Sequence, residues 1–314
     1  MLGIGLTEDI CSQIFKKHTL FWFNMDRTEY LLVYSSDLHG NEQQYQRLMD
    51  YAVRSGAQAV ILGGDLLPKH FPPDEYIAGQ RAFLEQRLLK MLDSLTEENI
   101  ATFFLLGNDD AAANKDLVEK LPSSIHGRRQ RLTNDFEICG YSYVPITPFA
   151  IKDWEKYDLS MVPSRLGARY EQRKKANYRL AGFKTTRAGR SEFTFTAAME
   201  KKDSIQWDLE NQVFTRDPQQ TLYVIHTPPD NTALDQTAPG QHVGSLALRQ
   251  FIEKNQPYVT LHGHIHETVE VSGTFTEKIG KTFCFSSGND NTTKSVAVIV
   301  FDLYRPEKAR RMIL

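Results

Sequence analysis

The amino-acid sequence predicts an α/β fold, in which helices cross over between the strands of a sheet, and three observations support this. Short apolar runs alternate along the chain with amphipathic segments of helical spacing. Each apolar run ends in a turn rich in Gly, Asp, His or Asn. The composition, with 41% hydrophobic and 24% charged residues among 314, is that of an ordinary globular protein. Such alternation is typical of strands joined by helices that pack on the sheet.

The first half of the chain repeats a unit of strand, polar turn and helix. Tyr30 to Tyr34 predicts a buried strand, and the helix that follows has Asn41 as its N-cap and Gly56 at its end. Two more strands are predicted, at Ala59 to Leu62 and at Thr102 to Leu106. The helix between them carries one apolar face, formed by Leu84, Leu88, Met91, Leu92 and Leu95.

The second half resumes the pattern after an irregular middle of roughly residues 140–219. A strand is predicted at Leu222 to Ile225, followed by a helix near 245–254 with Ser245 as its cap. The next strand runs from Tyr258 to Leu261. Two β-rich runs, Thr282 to Phe285 and Ser295 to Phe301, close the chain.

We expect a single domain over residues 25–314, with residues 1–24 as an N-terminal extension whose role the sequence leaves open. A basic insert or cap is expected around 150–215. Within it, residues 165–190 hold nine Lys or Arg and one Glu, a local balance of +8, so with a net charge of −2 the rest of the chain carries about −10. This window is either an arm that recruits an anionic substrate, with Tyr170, Tyr178 and Phe183 stacking on bases, or a solvated surface.

Several classes of protein are excluded by composition. No apolar run reaches about 18 residues, so no membrane span is expected. Acidic Glu8 and Asp9 near the N-terminus are unlike a secretory signal. Three widely spaced cysteines indicate neither a disulfide framework nor a thiolate zinc site, and we expect a cytoplasmic protein. The chain also lacks a phosphate-binding P-loop motif and a Gly-x-Ser-x-Gly nucleophile elbow.

Metal-ligating residue types follow five of the predicted strands. They are Asp37, His39, Asp65, Asn108, His226, His264 and His266. Each alone is weak evidence, because an Asp or His at a strand end is often only part of a turn. Together, seven oxygen or imidazole groups at the carboxyl ends of strands suffice to coordinate two cations if one carboxylate bridges them.

These motifs resemble the calcineurin-like metallophosphoesterase family, whose pattern runs D-x-H, G-D, G-N-H-[DE], H, G-H-x-H. The chain supplies Asp37-Leu38-His39, Gly64-Asp65, Gly107-Asn108-Asp109-Asp110, His226 and Gly263-His264-Ile265-His266 in that order. The resemblance implies a four-layer α-β-β-α sandwich of two mixed sheets flanked by helices. It also implies one metal held by Asp37, His39 and His266, a second held by Asn108, His226 and His264, and Asp65 as the bridge.

The implied reaction is hydrolysis of a phosphate ester by attack of a hydroxide that bridges the metals. Two divalent cations, two carboxylates and one hydroxide leave a charge of about +1, which attracts phosphate. Where the family has His after Asn108, this chain has Asp109. In the family that histidine usually protonates the leaving oxygen or steadies the transition state. Three outcomes are therefore open here: a protonated Asp109 acts as the acid, another group such as His70 or His262 does so, or the leaving group needs little protonation.

Imidazole and carboxylate ligands without thiolate suit Mn, Fe, Zn or Co, so two divalent transition-metal ions are the expected cofactors. The expected substrate is a small-molecule or nucleotide phosphate ester, either a diester or a monoester. A nuclease is an open but less favoured alternative, because the chain outside the insert is acidic. A third reading is a weak or inactive scaffold of this fold that binds partner proteins, which Asp109 supports.

Overall fold

The computed structural model describes residues 29–211, 214 and 216–314 and contains two mixed β-sheets packed face to face. The predicted extension of residues 1–24 lies outside the described residues. The first sheet has the order β15-β14-β1-β2-β3. Strands β1, β2 and β3 are parallel to one another, and β14 is antiparallel to both of its neighbours, β1 and β15. Its strands are β1 (Leu31–Ser35), β2 (Ala59–Gly63), β3 (Ala101–Leu105), β14 (Ala297–Asp302) and β15 (Arg310–Ile313).

The second sheet has six strands in the order β12-β13-β11-β10-β5-β4. Its central strands β5, β10, β11 and β13 are parallel, and the two edge strands are antiparallel to their neighbours. The strands are β4 (Arg129–Arg131), β5 (Glu137–Tyr141), β10 (Thr221–Ile225), β11 (Val259–His262), β12 (Thr276–Ile279) and β13 (Thr282–Ser286).

Helices cover the outer face of each sheet, which completes four layers. Against the first sheet lie α1 (Glu42–Ser55), α2 (Tyr76–Phe83), a π-helical turn (Leu84–Leu88) and α3 (Leu89–Glu97). Against the second lie α7 (Ile205–Asn211) and α8 (Leu246–Asn255). Between the sheets, alternate side chains such as Ile61 and Leu222 form a third apolar layer. The predicted four-layer α-β-β-α sandwich is confirmed.

The predicted helix starts are confirmed where the sequence carries capping residues. The Asn41 side chain accepts a hydrogen bond from the Gln44 amide at the start of α1. The Ser245 hydroxyl likewise accepts from the Leu248 amide at the start of α8. Gly56 ends α1 in the left-handed conformation that a glycine adopts without strain. Most strand boundaries differ from the prediction by one residue, and Ser295 to Phe301 begins two residues later, at Ala297.

The middle of the chain forms short elements outside the two large sheets. They are α4 (Lys115–Val118), β6 (Val144–Pro145), β7 (Glu155–Lys156), α5 (Gly167–Asn177), β8 (Ala181–Thr186), β9 (Gly189–Thr194) and α6 (Ala197–Lys202). Tyr170 is fully buried and packs with side chains of the second sheet, so its predicted stacking role is wrong. Arg173 is buried in an ion pair with Asp230, and Lys174 pairs with Glu200. Part of the basic window is therefore neutralised within the fold.

None of the helices in the described part of the chain has the length and apolar character to cross a membrane.

Candidate metal centre

The carboxyl ends of five strands deliver the seven predicted ligands to one edge of the sandwich. They are Asp37 and His39 after β1, Asp65 after β2, Asn108 after β3, His226 after β10, and His264 and His266 after β11. One ligand atom from each of Asp37, His39, Asp65 and His266 lies within 4.8 Å of the other three. The His39 Nε2 and His266 Nε2 atoms are 3.1 Å apart. These four side chains could together hold one metal ion.

The Asp65 carboxylate lies between this group and a second one. Its Oδ2 atom is 3.8 Å from His39 Nε2 and 3.5 Å from His226 Nε2. On the far side, Asn108 Oδ1 is 3.1 Å from His226 Nε2, and the His264 ring lies 5.4 Å from the His226 ring, centre to centre. The Asp65 carboxylate is therefore close to imidazoles of both groups.

The backbone at four of these residues has positive φ. Asp37, His39, Asp65 and His264 have φ of 58°, 44°, 53° and 70°, a region that non-glycine residues seldom adopt. A ladder of backbone hydrogen bonds holds two of the loops: Asp37 N donates to Gly64 O and His39 N donates to Asp65 O, each at 2.9 Å. Uncommon backbone conformations held in this way concentrate at functional sites.

Three glycines allow the loops to approach each other closely. A Cβ atom on Gly107 would lie 2.3 Å from Asp65 Oδ1, and one on Gly263 would lie 2.5 Å from Asp37 Oδ2. A Cβ on Gly64 would lie 2.6 Å from His226 Nδ1. All three contacts are shorter than any real Cβ contact, so these positions require glycine if the ligands are to keep their places.

Hydrogen bonds orient the ligands from behind. His226 Nδ1–H donates to the Gly63 carbonyl at 2.8 Å, which leaves Nε2 free to face Asp65 and Asn108. The Asp109 amide donates to Asp65 Oδ1 at 2.8 Å, so Oδ2 is the oxygen that faces the imidazoles. The Asn108 side-chain NH₂ donates to Asp109 Oδ1 at 3.1 Å, which turns Asn108 Oδ1 toward His226.

The imidazoles around the cluster hold its two buried carboxylates in the ionised form. Burial alone would raise the pKa of the Asp37 carboxyl, but His266 and His226 lower it to about 2. Burial is likewise outweighed at Asp65, whose pKa lies far below its usual value because of His226 and His39. The imidazoles differ among themselves: burial lowers the pKa of His264 to about 3, whereas at His226 the charge of Asp65 outweighs burial and raises the pKa to about 9.

Asp110 is a buried residue whose structural role was not recognised from the sequence. Its carboxylate accepts hydrogen bonds from the amides of Leu66, Leu67 and Gly107, at 3.0, 2.8 and 2.9 Å. It therefore ties the loop after β2 to the loop after β3, and so places Asp65 relative to Asn108. Burial, together with the nearby charge of Asp65, raises the pKa of Asp110 to about 8.

Asp109, the residue that departs from the family pattern, faces the centre. Its Oδ2 atom is 3.9 Å from His39 Nδ1 and 3.6 Å from the ammonium of Lys69. The Lys69 ammonium is also 3.3 Å from His39 Nε2. Lys69 is a cationic residue at the centre that was not predicted from the sequence. Burial and the charge of Asp65 raise the pKa of Asp109 to about 6.

The two histidines considered as alternative proton donors, His262 and His70, lie in different environments. His262 is fully buried in β11, where Nδ1 bonds to the carbonyls of Ile225 and Thr227 and Nε2 lies 2.8 Å from the Thr260 hydroxyl. Both ring nitrogens are thus occupied within the second sheet, so His262 supports the fold. His70 is exposed and does not line the cavity at the centre.

A cavity of about 180 Å³ opens over the cluster. It is lined by Asp65, Lys69, Asn108, Asp109, Phe149, His264, His266 and Glu267. Another cavity, of about 240 Å³, lies at the β12 edge of the second sheet and is lined by residues such as Phe275, Phe283 and Pro306. That cavity is larger, but none of the predicted ligands lines it, so the chemistry belongs to the first.

A sandwich of two mixed sheets with carboxylates and imidazoles gathered beyond the strand ends defines the metallophosphoesterase class of folds. A profile of the calcineurin-like phosphoesterases matches residues 32–268, which is more than half of the chain. The chain belongs to the calcineurin-like phosphoesterase family. Members of this family are usually metal-dependent hydrolases of phosphate esters and typically use divalent ions.

Solved structures agree on the fold. One is 14% identical to this chain, with a TM-score of 0.54, and the match covers 91% of this chain and 99% of the other. A dimetal phosphatase from Danio rerio is 10% identical, with a TM-score of 0.50 and coverage of 90% and 98%. Such identities show a shared fold alone. A comparison with curated proteins finds no match.

Proposed function

We propose that this protein hydrolyses phosphate esters with two bound divalent metal ions. Asp37, His39 and His266 would hold one ion, and Asp65 would bridge to the other. Asn108, His226 and His264 would hold the second. The observation that carries the proposal is the place of Asp65 Oδ2, within 4 Å of both His39 Nε2 and His226 Nε2.

The donor set fits divalent ions. Two buried carboxylates of low pKa lie among four imidazoles, and His39 Nε2 and His266 Nε2 are directed at each other across 3.1 Å. Buried carboxylates need a positive partner, and a cation between these nitrogens supplies one. Nitrogen and oxygen ligands without thiolate favour Mn, Fe, Zn or Co over Mg or Ca.

Two ions at such a site supply a nucleophile from water near neutral pH and offset the charge of the phosphate. The residues of the chain do the rest. Lys69, on the rim of the cavity, is placed to attract a phosphate oxygen, and its ammonium offsets the charge that Asp109 adds. Asn108 is held by Asp109 with its oxygen toward the second ion position.

The geometry reduces the number of groups that could protonate the leaving group. His262 is engaged in the second sheet, and His70 does not line the cavity. Asp109 lines the cavity and has a pKa raised to about 6 by burial and Asp65, which favours it as the acid. Small-molecule or nucleotide esters are the favoured substrates, because part of the basic window is paired within the fold and the chain outside the insert is acidic. Free, buried Cys139 and Cys284 support a reducing location such as the cytoplasm.

The direct test is metal analysis combined with hydrolysis of p-nitrophenyl phosphate and bis(p-nitrophenyl) phosphate in added Mn. We expect two ions per chain and turnover of at least one ester. Asp65→Asn should lower both metal content and turnover, while Asp135→Asn, at an exposed carboxyl in the β4–β5 turn, should change neither. Tight metal binding without turnover of either ester would favour the scaffold reading and contradict hydrolysis.

Asp109→His tests the residue that departs from the family. If Asp109 limits the chemistry, turnover should rise while metal content stays constant. If Asp109 is the acid of this particular enzyme, turnover should fall at unchanged metal content, and the acidic limb of the pH profile should move.

A further inference from the structure

We propose that Phe149 is a platform on which a planar group of the substrate stacks, so that the protein prefers aryl or nucleobase-bearing phosphate esters over aliphatic ones. This inference rests on the proposed function for the phosphate end of the substrate. Phe149 is 57% exposed and lines the cavity over the candidate metal centre together with Asp65, Asn108 and His266. Its ring thus stands beside the place where the ester would react.

Phe149 differs in kind from the rest of the cavity wall. Among the described residues that line it, Phe149 is the one apolar side chain, and the others are carboxylic acids, imidazoles, an amide and the ammonium of Lys69. The polar groups suit a phosphate and its metal ions. The cavity, at about 180 Å³, is below the roughly 300–1,000 Å³ of typical small-molecule sites. The organic part of an ester bound there must therefore extend past the rim, where the ring is.

The loop that carries Phe149 is held by a buried ion pair. Lys152 and Glu155 are both fully buried, and the Lys152 ammonium lies 2.8 Å from Glu155 Oε2. Glu155 accepts hydrogen bonds from the amide and the hydroxyl of Thr147, and Lys152 donates to the Thr147 carbonyl at 2.9 Å. The Phe149 amide in turn donates to Thr147 Oγ1 at 3.1 Å.

This support separates Phe149 from an ordinary exposed apolar residue. Single exposed hydrophobic side chains are common on protein surfaces and need no function. Here, however, three neighbouring residues with satisfied buried hydrogen bonds fix the backbone directly under the ring. A ring carried on a fixed backbone loses less conformational entropy when a ligand stacks on it than a ring on a mobile loop does. Stacking is selective for flat groups and tolerant of their identity, because every base or aryl ring has a π-face.

The test uses phenyl phosphate and cyclohexyl phosphate, which have the same charge and similar size but differ in planarity. The ratio of the two binding constants for the Mn-loaded protein is measured by calorimetry, and turnover is measured separately, because phenol is a better leaving group than cyclohexanol and would bias a ratio of kcat/KM values. We expect the wild type to favour phenyl phosphate by about tenfold, the effect of one aromatic stack. Phe149→Leu, which keeps an apolar side chain, should bring this ratio close to one, and Phe149→Trp should preserve it.

Met161→Ala is the matched control, because Met161 is also an exposed apolar residue of the insert, at 72% exposure, but does not line the cavity. It should leave the ratio unchanged. Equal preference for the two esters in the wild type, or a preference that survives Phe149→Leu, would overturn the platform while leaving hydrolysis intact. Phe149-dependent binding of phenyl phosphate without turnover would support the platform and refute hydrolysis. Binding of neither ester would overturn both.

Discussion

Gly107→Ala should disrupt the candidate metal centre without removing any ligand. Gly107 follows β3, and its φ is not in the left-handed region, so alanine is compatible with the backbone there. The added methyl would lie 2.3 Å from Asp65 Oδ1, 2.4 Å from Asp65 N and 2.8 Å from His226 Nε2. The methyl group would therefore clash with Asp65, the proposed bridge, and with His226 of the proposed second ion position.

The size of the effect follows from these distances. Ordinary van der Waals contact begins at 3.4 Å, so Asp65 Oδ1 must move by about 1 Å. A displacement of about 1 Å at reacting groups costs on the order of 100-fold in rate. Disturbing the groups that orient metal ligands costs about 10–100-fold in metal affinity. Overpacking adds about 1–3 kcal/mol of lost stability.

The assay is calorimetric titration of the metal-free protein with Mn, alongside hydrolysis of an aryl phosphate ester. Gly167→Ala is the matched control, since a Cβ at Gly167 meets nothing within 4 Å and alanine is the better helix former. It should leave metal affinity and turnover unchanged. Wild-type metal affinity and turnover in Gly107→Ala would refute the geometry assigned to Asp65.

Three further predictions concern stability. Asn41→Ala should cost about 0.5–2 kcal/mol by urea denaturation, because α1 loses its side-chain cap. Glu155→Gln should cost about 3–5 kcal/mol by the same measurement, since it leaves the buried Lys152 ammonium without its counter-charge, and adding Lys152→Met should recover most of the loss. Burial lowers the pKa of His126 to about 3, while in the unfolded chain it is near 6.5. The unfolded chain therefore takes up a proton first, and stability should fall by up to about 1.4 kcal/mol per pH unit as pH drops below 6.5; His126→Gln should reduce this slope, and an unchanged slope would contradict it.

The sequence predicted those parts of the structure that depend on local pattern. Apolar runs and capping residues such as Asn41 and Ser245 identified the central strands and two helix starts, because each signal acts within a few residues. Asp65 and His226 were predicted to converge because each directly follows a predicted strand, and ligand sites in α/β folds gather beyond the carboxyl ends of strands, although the sequence did not show that the two strands belong to different sheets. The structure brings them to 3.5 Å.

The parts that were missed depend on contacts between distant segments. Lys69 lies in the loop after β2 with no motif of its own, and only the folded chain shows its ammonium beside Asp109. Phe149 lies in the irregular middle of the chain, where no periodic pattern predicts which side chain reaches the cavity. The sequence left open whether Tyr170 stacks on a substrate or belongs to a solvated surface, and tertiary packing excludes both by burying it. The composition of a segment does not show which of its side chains are buried, because burial depends on the distant segments that pack against it.

The division of the proposed ligands between the two sheets means that a bound metal ion would cross-link the sheets. Asp65 comes from the first sheet and His226 from the second, and the apolar layer that contains Ile61 and Leu222 lies between those sheets. An ion held from both sides opposes any sliding of one sheet over the other and adds its binding free energy to the resistance of the fold to unfolding. Conversely, a core substitution that shifts the stacking of the sheets changes the spacing of the ligands, so residues remote from solvent take part in setting the affinity for metal.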